Sequence, residues 1–302
     1  VDDQTPDWIQ AQKMAAGYLR TAVIAFIVAG IGLLAVTAAF LIRPAPRRSS
    51  RRAPLRRRFM HDCEYRRPVG RVVGLWRYPV KSMAGEPLTE VEVSWHGLSG
   101  DRRWAFIRDG LTQSGFPWLT LRERGDMSHY LPSFVDPAQP DKSSTLVRTP
   151  SGIVFDVTDP KLATELWPQG ARVIKQNRGV FDTFPLSLIT TQTIDRLGEM
   201  VGAQLDVQRF RPNILVEAAE QAPFLEDSWM GCVLRIGGMR MRVDKRDGRC
   251  VVITIDPASS ERNPAILRAV ARDRQGCLGI YGSTVQPGRA AVNDLVFVES
   301  PA

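Results

Sequence analysis

Histidine is scarce in this chain, and cysteine is little more common. Three of the 302 residues are His and four are Cys. The cysteines, at 63, 232, 250 and 277, form no C-x-x-C pair and no zinc-ligand spacing. That excludes a disulfide scaffold and a structural zinc finger, and free thiols fit a reducing compartment. No G-x-S-x-G elbow, Walker loop or H-E-x-x-H occurs. A Ser–His or Cys–His hydrolase would have to be built on His96 or His129, each alone in strand–loop sequence, and that class is disfavoured. The body also lacks an excess of charge. The net charge is +8, but residues 1–59 hold ten Lys/Arg against three Asp/Glu, and residues 60–302 hold 30 against 29. A nucleic-acid surface needs a basic face on the folded part, so no nucleic-acid partner is expected.

The basic excess sits in a leader, residues 1–59. Thr21 to Ile42 is a charge-free apolar run of 22 residues, long enough to span a bilayer as a helix. Its Gly30-x-Gly32-x-x-Ala35 imitates a dinucleotide fingerprint but has no strand–turn–helix context. Arg43 to Arg58 carries eight arginines among Pro and Ser, a linker expected on the cytoplasmic side near anionic lipid. Two readings stay open. One is an anchor over 21–42 that holds a cytoplasmic body at the inner face of a membrane. The other is a coding sequence that starts at Met60.

From Val69 the pattern changes to short strands. Val72–Trp76, Leu88–Val93 and Trp104–Ile107 read as β, Ser114–Pro140 as a long loop region, and Thr145–Val157 as a hairpin around Pro150-Ser151-Gly152. Further on, Thr191–Val201 predicts a helix capped by Thr191 or Thr193, and Asn263–Arg274 a second with Pro264 in its first turn. Phe210–Val216, Leu234–Val243, Leu278–Tyr281 and Asp294–Val298 complete the strands. The fold class is α+β and β-rich.

One stretch stands out: Gly248-Arg249-Cys250, the apolar run Val251–Ile255, then Asp256-Pro257. Lys245–Gly248 reads as a turn, the apolar run as a buried strand, and Asp256-Pro257 as its stop. Cys250 then sits at a strand mouth with Lys245, Arg246 and Arg249 close in sequence, and positive charge favours the thiolate, both nucleophile and metal ligand. A free Cys beside a strand also serves as a small buried hydrophobe.

Arg249-Cys250 with its Thr254-x-Asp256-Pro257 tail resembles the signature of the MOSC domain. Four more blocks, in the family's order, are similar: Tyr78-Pro79-Val80-Lys81-Ser82, Gly100-Asp101-Arg102-Arg103-Trp104, Phe210-Arg211-Pro212-Asn213 and Leu278-Gly279-Ile280-Tyr281-Gly282. The resemblance implies an N-terminal β-barrel domain over 69–180 and a MOSC β-barrel domain with a few helices over 181–300. It implies the molybdenum cofactor, with Cys250 as metal ligand and catalytic residue. Lys81, Ser82, Arg102, Thr183, Arg211, Asn213, Arg249 and Tyr281 are then the cofactor-binding residues, with Lys81, Arg102 and Arg211 for its phosphate and pterin edges. Gly248 stands where members often have Ser, and Phe184 and Ser187 depart from the commonest forms of their block.

The implied activity is reduction of small N-hydroxylated compounds by oxygen removal. No cysteine cluster for an iron–sulfur centre is present, so a separate electron-donor protein, reductase or ferredoxin, is expected. The alternatives are a sulfur carrier with a Cys250 persulfide and a non-catalytic cofactor carrier. Pyridoxal phosphate enters as a family-level association only, because the resemblance includes no lobe that binds it.

Overall fold

The computed structural model describes residues 67–111, 113–179 and 183–299. The expected spanning segment 21–42 and the basic linker lie outside these residues. Among the described residues no helix is long and apolar enough to cross a membrane.

The first half is a run of short strands: β1 (Gly70–Arg77), β2 (Glu86–Leu88), β3 (Glu90–Ser94), β4 (Gly97–Leu98), β5 (Trp104–Arg108), β6 (Leu131–Phe134), β7 (Thr145–Arg148) and β8 (Val154–Asp156). Helix α1 (Pro160–Leu166) and β9 (Ala171–Lys175) follow. Asp159 caps α1 by accepting from the Lys161 N–H, and Pro160 fits its first turn. The pair β5–β9, the sheet β6–β7–β8 and α1 enclose one apolar cluster, which includes Phe106, Leu119, Met127, Tyr130 and Leu162.

The second half holds β10 (Leu186–Thr190), α2 (Thr191–Val201), β11 (Ile214–Ala218), β12 (Val233–Ile236), β13 (Met239–Gly248), α3 (Pro264–Arg274), β14 (Cys277–Gln286), β15 (Gly288–Ala291) and β16 (Leu295–Glu299). Its strands close into a ring, β11-β10-β14-β13-β12-β16-β1, because β1 pairs with both β16 and β11. Three register shifts between the ten-residue strands β13 and β14 supply the bend that closure needs. Alternation along β12 and β16 sends Leu234, Ile236, Val296 and Val298 inward, where they meet Leu188, Ile214 and Ile280. Truncating one of these to Ala would cost about 2–5 kcal/mol. Strand β10 is buried at every position, since α2 and α3 cover its outer face, where Ile189 joins Ile194, Leu197 and Ile266 in one cluster. Sheets cross the boundary at 180: β1 completes the ring, and β15 pairs with β3.

Several elements differ from the sequence reading. Leu234–Val243 is not one strand but a hairpin, β12 and β13, turning at Gly237 and Gly238. Gly237 has φ 55°, and a Cβ there would fall 2.2 Å from Asp294 Oδ2. Leu88–Val93 splits into β2 and β3, β11 starts only at Ile214, and Ser114–Pro140 contains a 3₁₀ turn (Gly125–His129) and β6. The α2 cap is Thr190, one residue earlier than expected; its hydroxyl accepts from the Thr193 N–H.

The largest correction concerns the Cys250 stretch. Lys245–Gly248 is the tail of β13, and Val251–Thr254 is a 3₁₀ turn, not a strand. The ladder with β14 ends where Gly248 meets Cys277, leaving no partner for a further strand. The apolar residues after it divide between two cores: Val252 and Ile255 join the first-half cluster, and Ile253 joins the α2–α3 cluster. Asp256 ends the turn, its Oδ1 accepting from the Ala258 and Ser259 N–H groups.

Candidate functional site

Cys250 follows the end of β13 and opens the 3₁₀ turn, half-buried, on a cleft of about 270 Å³. Lys81, Ser82, Arg102, Thr183, Arg211, Asn213, Arg249 and Tyr281 line the same cleft. All nine residues singled out in the sequence are therefore brought together. Thr183 is exposed, while Lys81 and Asn213 are buried.

The cations near Cys250 in sequence do not hold its sulfur. Side chains alternate along β13, and Arg246 turns away to Asp227 and the Arg274 carbonyl. Lys245 Nζ lies 5.9 Å from the Phe184 ring. Arg249 donates from Nε to the Leu278 carbonyl and from Nη1 to the Phe210 carbonyl, both at 2.8 Å, and its Nη2 meets Asp247 Oδ2 at 2.9 Å. The guanidinium that reaches the thiol is Arg122, with Nη2 at 3.3 Å from Sγ and Cζ stacked 4.8 Å from the Phe116 ring. Sequence reasoning missed Arg122, which lies 128 residues from Cys250 and outside every block.

A second part of the cleft, at Arg102 and Arg211, is built on Tyr78. Its buried ring lies between Arg102 at 4.8 Å and Arg211 at 4.3 Å. The buried Asp101 organises this end: Oδ1 accepts from the Tyr78 N–H, and Oδ2 from Arg102 Nη1 and Asn213 Nδ2. Burial pushes the Tyr78 hydroxyl well above its ordinary range. Ser82 (φ 69°), Arg102 (φ 47°) and Arg211 (φ 51°) are left-handed. Such backbone costs a non-glycine residue about 1–3 kcal/mol and concentrates where function holds it.

Asn213 is an internal hub. Its Oδ1 accepts from the Ser187 N–H and hydroxyl, and its Nδ2 donates to the Trp76 carbonyl and Asp101. It ties β1, β10 and the Asp101 turn into one wall. Tyr281, on β14, places its ring 6.1 Å from Phe184. Burial raises its hydroxyl far above the usual range, and Asp247 adds to that.

Asp247 was also missed. It is the sole carboxylate among the lining residues and is 1% exposed. Burial raises its pKa to about 6, against the pull of Arg249, Tyr281, Arg102 and Lys245. Continuing the period-two pattern of β13 as far as Gly248 would have placed it inward. Among the described residues no group of three His, Cys, Asp or Glu stands ready to hold a metal ion.

The MOSC domain model matches residues 175–297, and the MOSC N-terminal beta barrel domain model matches residues 69–150. The chain is similar to human mitochondrial amidoxime-reducing component 1, with 25% identity and 76% of each chain covered. Human mitochondrial amidoxime reducing component 2 is 28% identical, again over 76% of each chain. The molybdenum cofactor sulfurase of Danio rerio is 38% identical over 70% of this chain, which covers 31% of that protein.

Proposed function

The chain belongs to the family that joins a MOSC N-terminal β-barrel domain to a MOSC domain, and on that premise we propose that it is a molybdenum-cofactor-dependent oxidoreductase that reduces N-hydroxylated compounds. On this reading residues 69–180 and 181–300 are the two domains, each supplying one wall of the cleft. Residues 21–42 would anchor the body at the inner face of a membrane. The observation that carries the proposal is the convergence of a thiol, several cations and one buried carboxylate on a single cleft.

The residues present fit the group. With one thiol and no ready cluster of protein ligands, a metal here would arrive with most of its ligands attached, as a dithiolene-bound metal does. Cys250 would ligate it. Lys81, Arg102 and Arg211 suit a phosphate, the guanidiniums because their fork of donors matches two oxygens. Asn213 and Arg249 act at one remove, holding the Ser187 and Phe210 segments in place. Ser82, Thr183 and Tyr281 offer hydroxyls to the cofactor.

When bound, the cofactor supplies two-electron oxygen-atom acceptance. The N–O bond of the substrate would break, with two electrons from a separate donor protein and two protons taken up, one by the nitrogen and one by the hydroxyl, which leaves as water. The chain's part is to bind, orient and neutralise.

The test is elemental and pterin analysis of protein purified from cells that make the cofactor, joined to benzamidoxime reduction with a chemical electron donor. About one molybdenum and one pterin per chain, with turnover, are expected. Cys250→Ala should lose metal and turnover while melting within a few degrees of wild type. Full turnover in that variant, or wild type without metal and pterin, defeats the proposal. The 38% identity to a sulfurase keeps a second reading, in which Cys250 carries a persulfide received from a donor. Metal-free protein holding one labile sulfur on Cys250 would favour it.

A further inference from the structure

The 3₁₀ turn after Cys250 serves two surfaces. Cys250, Val252 and Ile253 line the cleft, while Val251 and Thr254 line a separate groove of about 430 Å³ beside α3. The groove is mostly apolar. Val251, Pro264, Leu267 and Ala271 line it, and the Thr254 hydroxyl donates to the Val251 carbonyl at 2.7 Å. Helix α3 buries Ile266, Ala269 and Val270 in the cluster it shares with α2. Pro264, Leu267 and Ala271 form a second stripe at helical spacing, which the fold covers only in part.

The charge at this groove has one sign. Arg262 and Arg268 line it, both exposed, and no carboxylate does. Other arginines nearby are neutralised, Arg272 by Asp273 at 2.6 Å, and Arg246 and Arg274 by Asp227. Among the described residues neither Arg262 nor Arg268 has a carboxylate partner. Arg262 Nη2 donates to the Arg122 carbonyl at 3.2 Å, on the segment whose guanidinium reaches the Cys250 sulfur.

The proposed function, on which this inference rests, needs electrons from another protein. Val251 is bonded to Cys250, so covalent bonds alone connect the groove to the sulfur. A carrier docked at the groove delivers there without entering the cleft that the substrate uses. We propose that the groove seats the electron donor, a one-electron carrier protein whose docking face is acidic around an apolar centre. Its carboxylates meet Arg262 and Arg268, and its apolar side chains meet Val251 and Leu267. An apolar centre with complementary charge at the rim gives a docking patch its orientation and encounter rate. In each turnover two reduced carriers give one electron each and leave oxidised, and the two electrons pass to the group held by Cys250. The segment 43–58, with its eight arginines, carries the same charge as the groove and is repelled by it.

The experiment uses the full chain loaded with cofactor, benzamidoxime as substrate and two reductants. One is reduced plant-type ferredoxin, an acidic one-electron carrier, and the other is reduced methyl viologen, which needs no docking face. Arg268→Glu and the pair Arg262→Glu with Arg268→Glu should lower ferredoxin-driven kcat/KM, the pair by at least roughly tenfold, and leave the viologen-driven rate within about twofold. Ferredoxin-driven turnover of wild type should fall as salt rises, and viologen-driven turnover should not. Unchanged ferredoxin-driven turnover in the paired variant overturns the inference, and so does an equal loss with both reductants. A photo-crosslinker placed at Ala271 should join the ferredoxin. Joining residues 1–59 of the same chain, or a second copy, in place of ferredoxin overturns it too. Wild type driven by viologen but not by ferredoxin overturns this inference alone. Wild type driven by neither and isolated without molybdenum and pterin overturns the proposed function as well.

Discussion

Arg249 and Arg122 both line the cleft on which Cys250 opens, and their partners differ. Arg249 is tied to the Leu278 and Phe210 carbonyls and to Asp247, with its side chain 7% exposed. It joins the end of β13 to β14 and to the segment before β11. Asn213 is held in the same way, bonded to Ser187, Trp76 and Asp101. Arg122 sits in a loop, stacks on Phe116 and directs Nη2 to the cysteine sulfur. Lys81, six ångströms from the same ring at 6.0 Å, and Ser82, on left-handed backbone, belong to that side. Residues of the same type thus divide by role. One side is a framework whose polar groups satisfy each other, and the other presents charge to the cleft.

The sharpest way to break this contrast is Asn213→Ala. It leaves Ser187, the Trp76 carbonyl and Asp101 short of a partner in a buried place, and about 3–5 kcal/mol of unfolding free energy should be lost. Chemical denaturation checks this, and a loss under about 1 kcal/mol would mean that Asn213 is not the hub described. A paired substitution sharpens it further. Arg249→Gln should cost about 2–4 kcal/mol of stability, because it removes one member of a buried pair. Arg122→Gln should stay within about 0.5 kcal/mol of wild type, yet lower the amount of cofactor retained on purification. If the two variants lose stability equally, the division into framework and presenting sides fails.

The nine residues gathered on the cleft were legible as candidates because they lie in short local blocks. The helices were legible for a similar reason. Asn263 and Pro264 mark the start of α3 by local chemistry, Asn263 accepting from the Ala265 N–H. The 3₁₀ turn after Cys250 was not legible. A run of β-branched residues reads as a strand whether both faces meet one sheet or its members part between two cores, as Val252, Ile253 and Ile255 do. Arg122 left no signal at all, since its meeting with Cys250 depends on the tertiary path of the 114–140 region. The closing of the ring by β1 was equally hidden, because strand order is a long-range property.

A last effect is in pH dependence, and it bears on whether Arg249 keeps Asp247 charged. Burial raises the Asp247 pKa from 3.8 to about 6. Between those values the folded protein holds a proton that the unfolded chain has released. Stability from this group is therefore complete below about pH 4 and is lost as pH rises through 6, by about 2–3 kcal/mol. Asp126, lowered by Arg124, Asp256, lowered by the Ser259 N–H, and Glu299, lowered by Arg240, act in the opposite sense. Their stabilisation is present above the unfolded pKa and is lost on acidification. Glu226, raised by burial, acts in the same sense as Asp247. The raw curve mixes all of them, so the quantity to measure is the difference between wild type and Asp247→Asn, in which the shared groups cancel. That difference should move by about 2–3 kcal/mol against wild type between pH 4 and about pH 6.5 in metal-free protein. A flat difference would mean that Arg249, Arg102 and Lys245 offset the burial of Asp247 in full. The framework side would then present a settled negative charge to the cleft at every pH in the window, and the contrast between the two sides would be one of sign as well as of role.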